Sequence, residues 1–235
     1  MIAALFDMDN TLLRGDTGMS WTRFLYKRGE LPAAMVAKAV YWSALYKLAV
    51  LDMDAVVTRI VANLEGDSEA EMIAKCGEWY EREIASLVAP AARVAIEYHR
   101  AAGHVIAIAT GSTIYAARPV AAGLQLASRA LPGEAAPPEG GAGSIIHVLA
   151  TELEVDAAGL FTGKPRALCF GRHKVTLVEA WAAREGIDLA RSYFYSDSYN
   201  DLPMLERVGT AIAVNPDARL LRHARSRGWQ TARWA

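Results

Sequence analysis

Phe6-Asp7-Met8-Asp9-Asn10-Thr11-Leu12 follows the apolar run Ile2 to Phe6 without a break. An apolar run that stops abruptly at acidic residues reads as a buried parallel strand whose carboxyl end carries polar groups. The chain of 235 residues holds 11 Asp and 11 Thr, so about 0.02 D-x-D-x-T matches are expected by chance, which makes chance a poor account of this one. Two carboxylates ending one strand repel unless a cation or hydrogen-bond donors offset them. A solvated loop with an Asx turn is the competing reading of the segment taken alone.

Working outward, three more short apolar runs end in polar residues. Val105 to Ala109 leads into Thr110-Gly111-Ser112, Tyr193 to Tyr195 leads into Ser196-Asp197, and Thr210 to Val214 stops at Asn215-Pro216. Helical patterns lie at Ala91–Ala101, Lys174–Glu185 and Leu202–Arg207. Strands alternating with helices imply an α/β fold, a doubly wound parallel sheet with right-handed crossovers.

Residues 18–88 break the alternation. They hold four helix-like stretches, near Met19–Arg28, Pro32–Val50, Met53–Leu64 and Ser68–Val88, and no strand candidate. Pro32 suits a first helical turn, and Ser68 with Glu71 reads as a capping box. One crossover cannot use so many helices, so the expectation is an inserted all-helical cap at 18–88 on a core of 1–17 and 89–235. The segment 132–143, with seven Pro or Gly in twelve residues, is expected to be a flexible surface loop. His147–Val155 and Leu160–Thr162 flank Asp156-Ala-Ala-Gly159, the pattern of a β-hairpin.

Composition narrows the class of function. A net charge of -1 with 53% apolar residues describes a globular chain, neither disordered nor carrying the overall charge that draws nucleic acid or membrane surfaces. Arg219, Arg222, Arg225, Arg227 and Arg233 gather near Trp229 and Trp234; a solvated terminal helix is preferred over a nucleic-acid site. Cys76 and Cys169 lie far apart with no metal-ligand spacing and read as buried reduced thiols. With no signal peptide pattern at the N-terminus, a cytoplasmic location is expected. The apolar stretch Leu31–Leu51 is interrupted by Lys38 and Lys47, which favours a buried cap helix with snorkelling lysines over a membrane span. An outward face bearing Tyr41, Trp42 and Tyr46 would instead offer a dimer contact or an apolar substrate site.

The chemistry gathers at strand ends. Asp197-Ser-Tyr-Asn200-Asp201 follows one strand as Asp7 and Asp9 follow another, and a parallel sheet brings both clusters to its carboxyl edge, where α/β folds bind ligands. Three or four oxygens converging there describe a hard-cation site, with Mg²⁺ the expected metal. The second cluster also serves as an N-cap for the helix near Leu202. Thr110-Gly111-Ser112 offers a hydroxyl and backbone N–H groups to an anion. Lys174, one of six lysines, adds a cation. Together these features describe a phosphate site.

In this order, FDMDNTL (Phe6–Leu12), IATGS (Ile108–Ser112), Lys174 after Gly171-Arg172-His173, and SDSYND (Ser196–Asp201) resemble the four motifs of the haloacid dehalogenase superfamily. The helical insert and LATELEVDAAGLFTG (Leu149–Gly163) resemble its phosphoserine-phosphatase-like branch. The resemblance implies a phosphatase in which Asp7 is the nucleophile and Asp9 the acid and base. It implies that Asp7, the Asp9 carbonyl and Asp197 bind Mg²⁺, with Asp201 orienting them. Thr110, the Gly111 N–H, Lys174 and Asn200 would hold the phosphoryl oxygens.

Two departures bear on the substrate. Phosphoserine phosphatases carry Glu nine residues after the nucleophile, to hold the substrate ammonium, and Asp16 stands there. The shorter side chain would bind a larger amine, bind through water, or cap the following helix. Arg59 is the candidate for a substrate carboxylate, with a surface charge as its alternative. The expected partner is a small phosphorylated metabolite, phosphoserine-like first, then histidinol phosphate or a lipid-like phosphate, with no nucleic acid or membrane span; a second copy of the chain is a candidate. From another class, a non-catalytic phospho-ligand sensor is the rival, against which the intact aspartates argue.

Overall fold

A computed structural model describes residues 1–47, 53–128 and 145–234. Seven strands, β1 (Ala3–Phe6), β2 (Val105–Thr113), β3 (Ile146–Val155), β4 (Phe161–Ala167), β5 (Tyr193–Ser196), β6 (Thr210–Val214) and β7 (Gln230–Ala232), form one sheet in the order β4-β3-β2-β1-β5-β6-β7. All neighbours run parallel except β3 and β4. Strand β1 is central, with Leu5 paired to Ala107 on one side and Phe194 on the other. Chain leaves β1 in both directions, so the carboxyl ends of β1, β2 and β5 meet where crossovers diverge.

Nine helices accompany the sheet among the described residues: α1 (Thr17–Lys27), α2 (Ala33–Lys47), α3 (Met53–Ala62), α4 (Glu69–Trp79), α5 (Pro90–Ala101), α6 (Ile114–Ser128), α7 (Gly171–Glu185), α8 (Leu202–Leu205) and α9 (Ala218–Arg227). Period-2 alternation in β1 divides the core. Ala3 and Leu5 face a cluster with Trp181, Phe194 and Leu220, while Ala4 and Phe6 face one with Ile96, Val120 and Tyr195. The second cluster continues through Phe24, Val61, Cys76 and Trp79, so α1, α3 and α4 bury side chains in the same apolar mass as the sheet. Both cysteines are free and buried.

Asp16 caps α1, accepting from the Met19 N–H at 2.8 Å. Ser68 caps α4, accepting from Glu71 at 3.4 Å. The continuous helix expected at 68–88 ends instead at Trp79, and two short turns, Tyr80–Ile84 and Ala85–Leu87, bring Val88 beside Leu13 in an antiparallel bridge. A straight helix would carry the chain past that return. The β3–β4 hairpin turns at Gly159 with φ +78° and docks on the helical segment through Gly66 N–H to Phe161 O and Phe161 N–H to Asp67 O, both 2.9 Å.

Several expectations need correction. The strand after the hairpin runs to Ala167, because β4 is a sheet edge, where proline is tolerated. The Arg-rich terminus adds β7 after α9, a three-residue strand too short for a periodic signal. Helix α2 is not a buried core helix: Val40 is 53% and Tyr41 60% exposed, since apolar residues spread around its circumference and one neighbour cannot cover them. Lys38 lies 4.7 Å over the Trp42 ring. The segments 48–50 and 132–143 and the side chain of Tyr46 lie outside the described residues. No described helix is long and apolar enough to cross a membrane.

Candidate active site

Beyond Phe6 the backbone does not continue as strand, and Asn10 adopts φ +53°, a left-handed conformation that Asn tolerates better than most residues. The turn Met8–Leu12 is pinned by the Asn10 N–H donating to Gly15 O at 2.9 Å and by Asn215 Nδ2 donating to Asn10 O at 2.9 Å. Asp7 is thereby left at the strand end, its N–H donating to Tyr195 O at 2.8 Å. Its carboxylate points at Lys174, whose ammonium lies 3.0 Å from Asp7 Oδ1 and 2.7 Å from Asp201 Oδ1. Ser196 Oγ also donates to Asp201 Oδ2 at 2.8 Å. Lys174 is 2% exposed. Burial works against its charge, yet Asp201 and Asp7 together raise its pKa above the ordinary lysine range.

The acidic groups outnumber this cation. Burial, then the neighbouring carboxylates, lift Asp197 to about 9; burial lifts Asp7 to about 7, with Lys174 opposing and Asp201 and Asp9 adding. Burial followed by Asp16 raises Asp9 to about 6, against hydrogen bonds from Thr17 and Ser112. Crowded carboxylates with a single ammonium among them disfavour a phosphate unless further positive charge is supplied. Among the described residues no three acidic, imidazole or thiol side chains form a closed metal cage. Mg²⁺ does not require one, since it keeps waters and binds through one or two carboxylates and substrate phosphate oxygens. Asp7 and Asp197, close enough for Asp7 to raise the pKa of Asp197, are two carboxylates of that kind.

Thr110 is buried at the point where β2 shifts register against β3. Its Oγ1 accepts from the Ser112 N–H at 3.2 Å, and Thr151 Oγ1 donates to Gly111 O at 3.0 Å. A side chain at Gly111 would meet Phe170 Cβ at 3.5 Å. The backbone of Asn200 donates to Ser198 Oγ at 3.2 Å. Asp7, Lys174 and Asp201 therefore touch directly, and Asp9 and Asp197 add to the same crowd of charge. Asp16 stands near enough to Asp9 to raise its pKa, while one oxygen is engaged at the start of α1. Arg59, in the last turn of α3, is exposed and takes part in none of these contacts.

Sequence reading missed Thr17, Ser196 and Thr151, which grip Asp9, Asp201 and Gly111. Ser196 stood beside a motif and was detectable as a strand-end hydroxyl. Thr17 and Thr151 carry no local signal, because only the fold brings them to their partners.

Residues 4–206 match the haloacid dehalogenase-like hydrolase family. Phosphoserine phosphatase SerB1 of Mycobacterium tuberculosis is 35% identical over 97% of this chain and 69% of its own length. A histidinol-phosphatase of Neisseria meningitidis is 29% identical over 96% of both. A crystal structure of a Bordetella pertussis protein of unknown function shares 31% identity with a TM-score of 0.78, covering 98% of this chain and 97% of the other. A phosphoserine phosphatase captured as a phospho-aspartyl intermediate analogue, 19% identical and covering 100% and 93%, shares the fold with a TM-score of 0.67.

Proposed function

This chain belongs to the haloacid dehalogenase-like hydrolase family, and from that premise we propose that it is a Mg²⁺-dependent phosphomonoesterase acting through a phosphorylated Asp7. The observation that carries the reading is the fully buried Lys174 bridging Asp7 and Asp201 at the carboxyl edge of the sheet. An aspartate so held is fixed for attack and deprived of mobility, which is what in-line displacement at phosphorus requires.

Asp7 attacks phosphorus, the bond to the leaving oxygen breaks, and Asp9 gives that oxygen a proton. Asp9 then takes a proton from water, whose oxygen attacks phosphorus and releases Asp7. The Thr110 hydroxyl, the Gly111 N–H, Lys174 and Asn200 are assigned to the phosphoryl oxygens. Asp7, Asp197 and the Asp9 carbonyl would hold Mg²⁺, with Asp201 ordering the group through Lys174; bound there, the ion neutralises the phosphate and the crowded carboxylates. Residues 18–88 are assigned as a cap over this edge.

The substrate is a small phosphorylated metabolite of the phosphoserine type. A phosphorylated amino alcohol such as histidinol phosphate is the second reading, favoured by two observations. Arg59, assigned to a substrate carboxylate, is exposed away from the site's contacts, while Asp16 leaves an acidic group beside Asp9. Turnover of a nitrophenyl phosphate with Mg²⁺ and after chelation tests the activity, and a panel including phosphoserine, phosphoethanolamine and histidinol phosphate tests the class. Binding of phosphate esters without any turnover would favour the sensor reading.

A further inference from the structure

Asp9 is held from the base of α1. Its Oδ1 accepts the Thr17 N–H at 2.6 Å, and its Oδ2 accepts the Thr17 and Ser112 hydroxyls, each at 3.0 Å. The two hydroxyl oxygens are themselves 2.8 Å apart. Thr17 is 2% exposed and opens the helix that leads into residues 18–88, whereas Ser112 belongs to β2. One carboxylate thus joins the N-terminal loop, the second strand and the first inserted helix.

We infer that Thr17 is a positioning residue for the reaction, keeping Asp9 in one place both when it gives a proton and when it takes one, with Ser112 as its partner. The Thr17 N–H fixes Oδ1, and two hydroxyls, one from α1 and one from β2, fix Oδ2, so donors on separate elements set the place of the carboxylate before substrate arrives. Placement fixed in advance, with little reorganisation during the reaction, is what makes a preorganised site fast. The inference rests on Asp9 being the acid and base of the proposed reaction.

The test uses the full chain carrying Thr17→Val, which keeps the β-branched shape and the backbone N–H but loses the hydroxyl, alongside Thr17→Ser and Ser112→Ala. With Mg²⁺, turnover is measured on phosphoethanolamine, whose leaving alkoxide needs a proton, and on a nitrophenyl phosphate, whose leaving group does not. The expected result for Thr17→Val is a fall in kcat on the alkyl ester of about 10- to 100-fold with KM little changed, the cost of a misplaced group. On the aryl ester, phosphorylated enzyme should accumulate as an early burst, because only the water-activating step is slowed. Thr17→Ser should restore kcat to near wild type. Equal losses on both esters without a burst, or no recovery with serine, would overturn the role of Thr17 while a wild-type phosphoenzyme still supports Asp7 and Asp9. Absence of phosphoenzyme in wild type despite turnover would overturn the reading of Asp7 and Asp9 itself. Should Thr17→Val fail to fold, Ser112→Ala must show the same separation between esters, and its behaving as wild type would refute the proposal.

Discussion

Lys174 Nζ lies 3.0 Å from Asp7 Oδ1, with side-chain exposures of 2% and 10%, so the aspartate at the end of the first strand is held by a cation contributed 167 residues later. Asp201 takes the other side of the same ammonium. Removing the ammonium leaves two buried carboxylates without their cation, which costs more than the set contributes when complete.

Lys174→Met is therefore expected to lower stability by about 3–5 kcal/mol at pH 8 and kcat by about 10²–10³-fold. Burial already raises the folded-state pKa of Asp7 and Lys174 opposes that rise, so without the ammonium Asp7 binds its proton still more tightly in the folded chain than in the unfolded one, and stability falls as pH rises. Denaturant unfolding at pH 5.5 and pH 8 checks this. A variant no weaker at pH 8 than at pH 5.5 would contradict the electrostatic account.

Asp7→Asn should abolish turnover and leave the fold intact. An amide is a poor nucleophile, and losing covalent catalysis costs several powers of ten, so retention of more than about 1% of the wild-type rate would remove Asp7 from the nucleophile role. Because the folded-state pKa of Asp7 is raised to about 7, its ionised form is a burden at higher pH. Metal-free Asp7→Asn should accordingly melt above metal-free wild type at pH 8, and the difference should shrink as pH falls from 7 toward 4.

Mg²⁺ should raise the melting temperature, and more so as pH increases. Folded-state values raised to about 7 for Asp7 and about 9 for Asp197 mean that the folded chain holds protons which the unfolded chain has released. Metal-free stability is then greatest below the unfolded carboxylate range and is lost as pH climbs through 7 to 9. A bound cation competes with those protons and removes the loss. Thermal melts with Mg²⁺ and with chelator across pH 5.5–9 measure the effect, and a shift independent of pH would argue against binding at these carboxylates.

Asp16 can be separated into its two roles. Asp16→Ser keeps an N-cap oxygen for the Met19 N–H, whereas Asp16→Ala loses it at about 1 kcal/mol. If Asp16 also meets a substrate amine, both variants should lose kcat/KM on an amine-bearing phosphate far more than on a nitrophenyl phosphate. Equal effects on the two substrates, with only Asp16→Ala destabilised, would leave Asp16 as a helix cap alone.

What the chain order alone determined is local and periodic. Apolar runs ending at Asp7, Thr110 and Asp197 were legible because a buried parallel strand needs continuous apolar residues and its carboxyl end does not. The all-helical stretch between β1 and β2 was legible because it offers no such run. Motif order then placed Asp7, Asp9, Lys174 and Asp201 at one edge of the sheet.

Tertiary structure decided everything that depends on distance between separate elements. Only the fold shows that Lys174 grips Asp7 as well as Asp201, that Thr17 and Ser112 close on Asp9, and that Arg59 stays out of these contacts, since helix spacing fixes neighbours three and four residues apart but not which distant strand they meet. The same limit explains α2, whose apolar composition suggests burial while no packed partner among the described residues covers Tyr41, and β4, where Pro165 is admissible because the strand lies at an edge. A sequence records what each residue can do; which groups come within hydrogen-bonding distance is set by the packing of the whole chain.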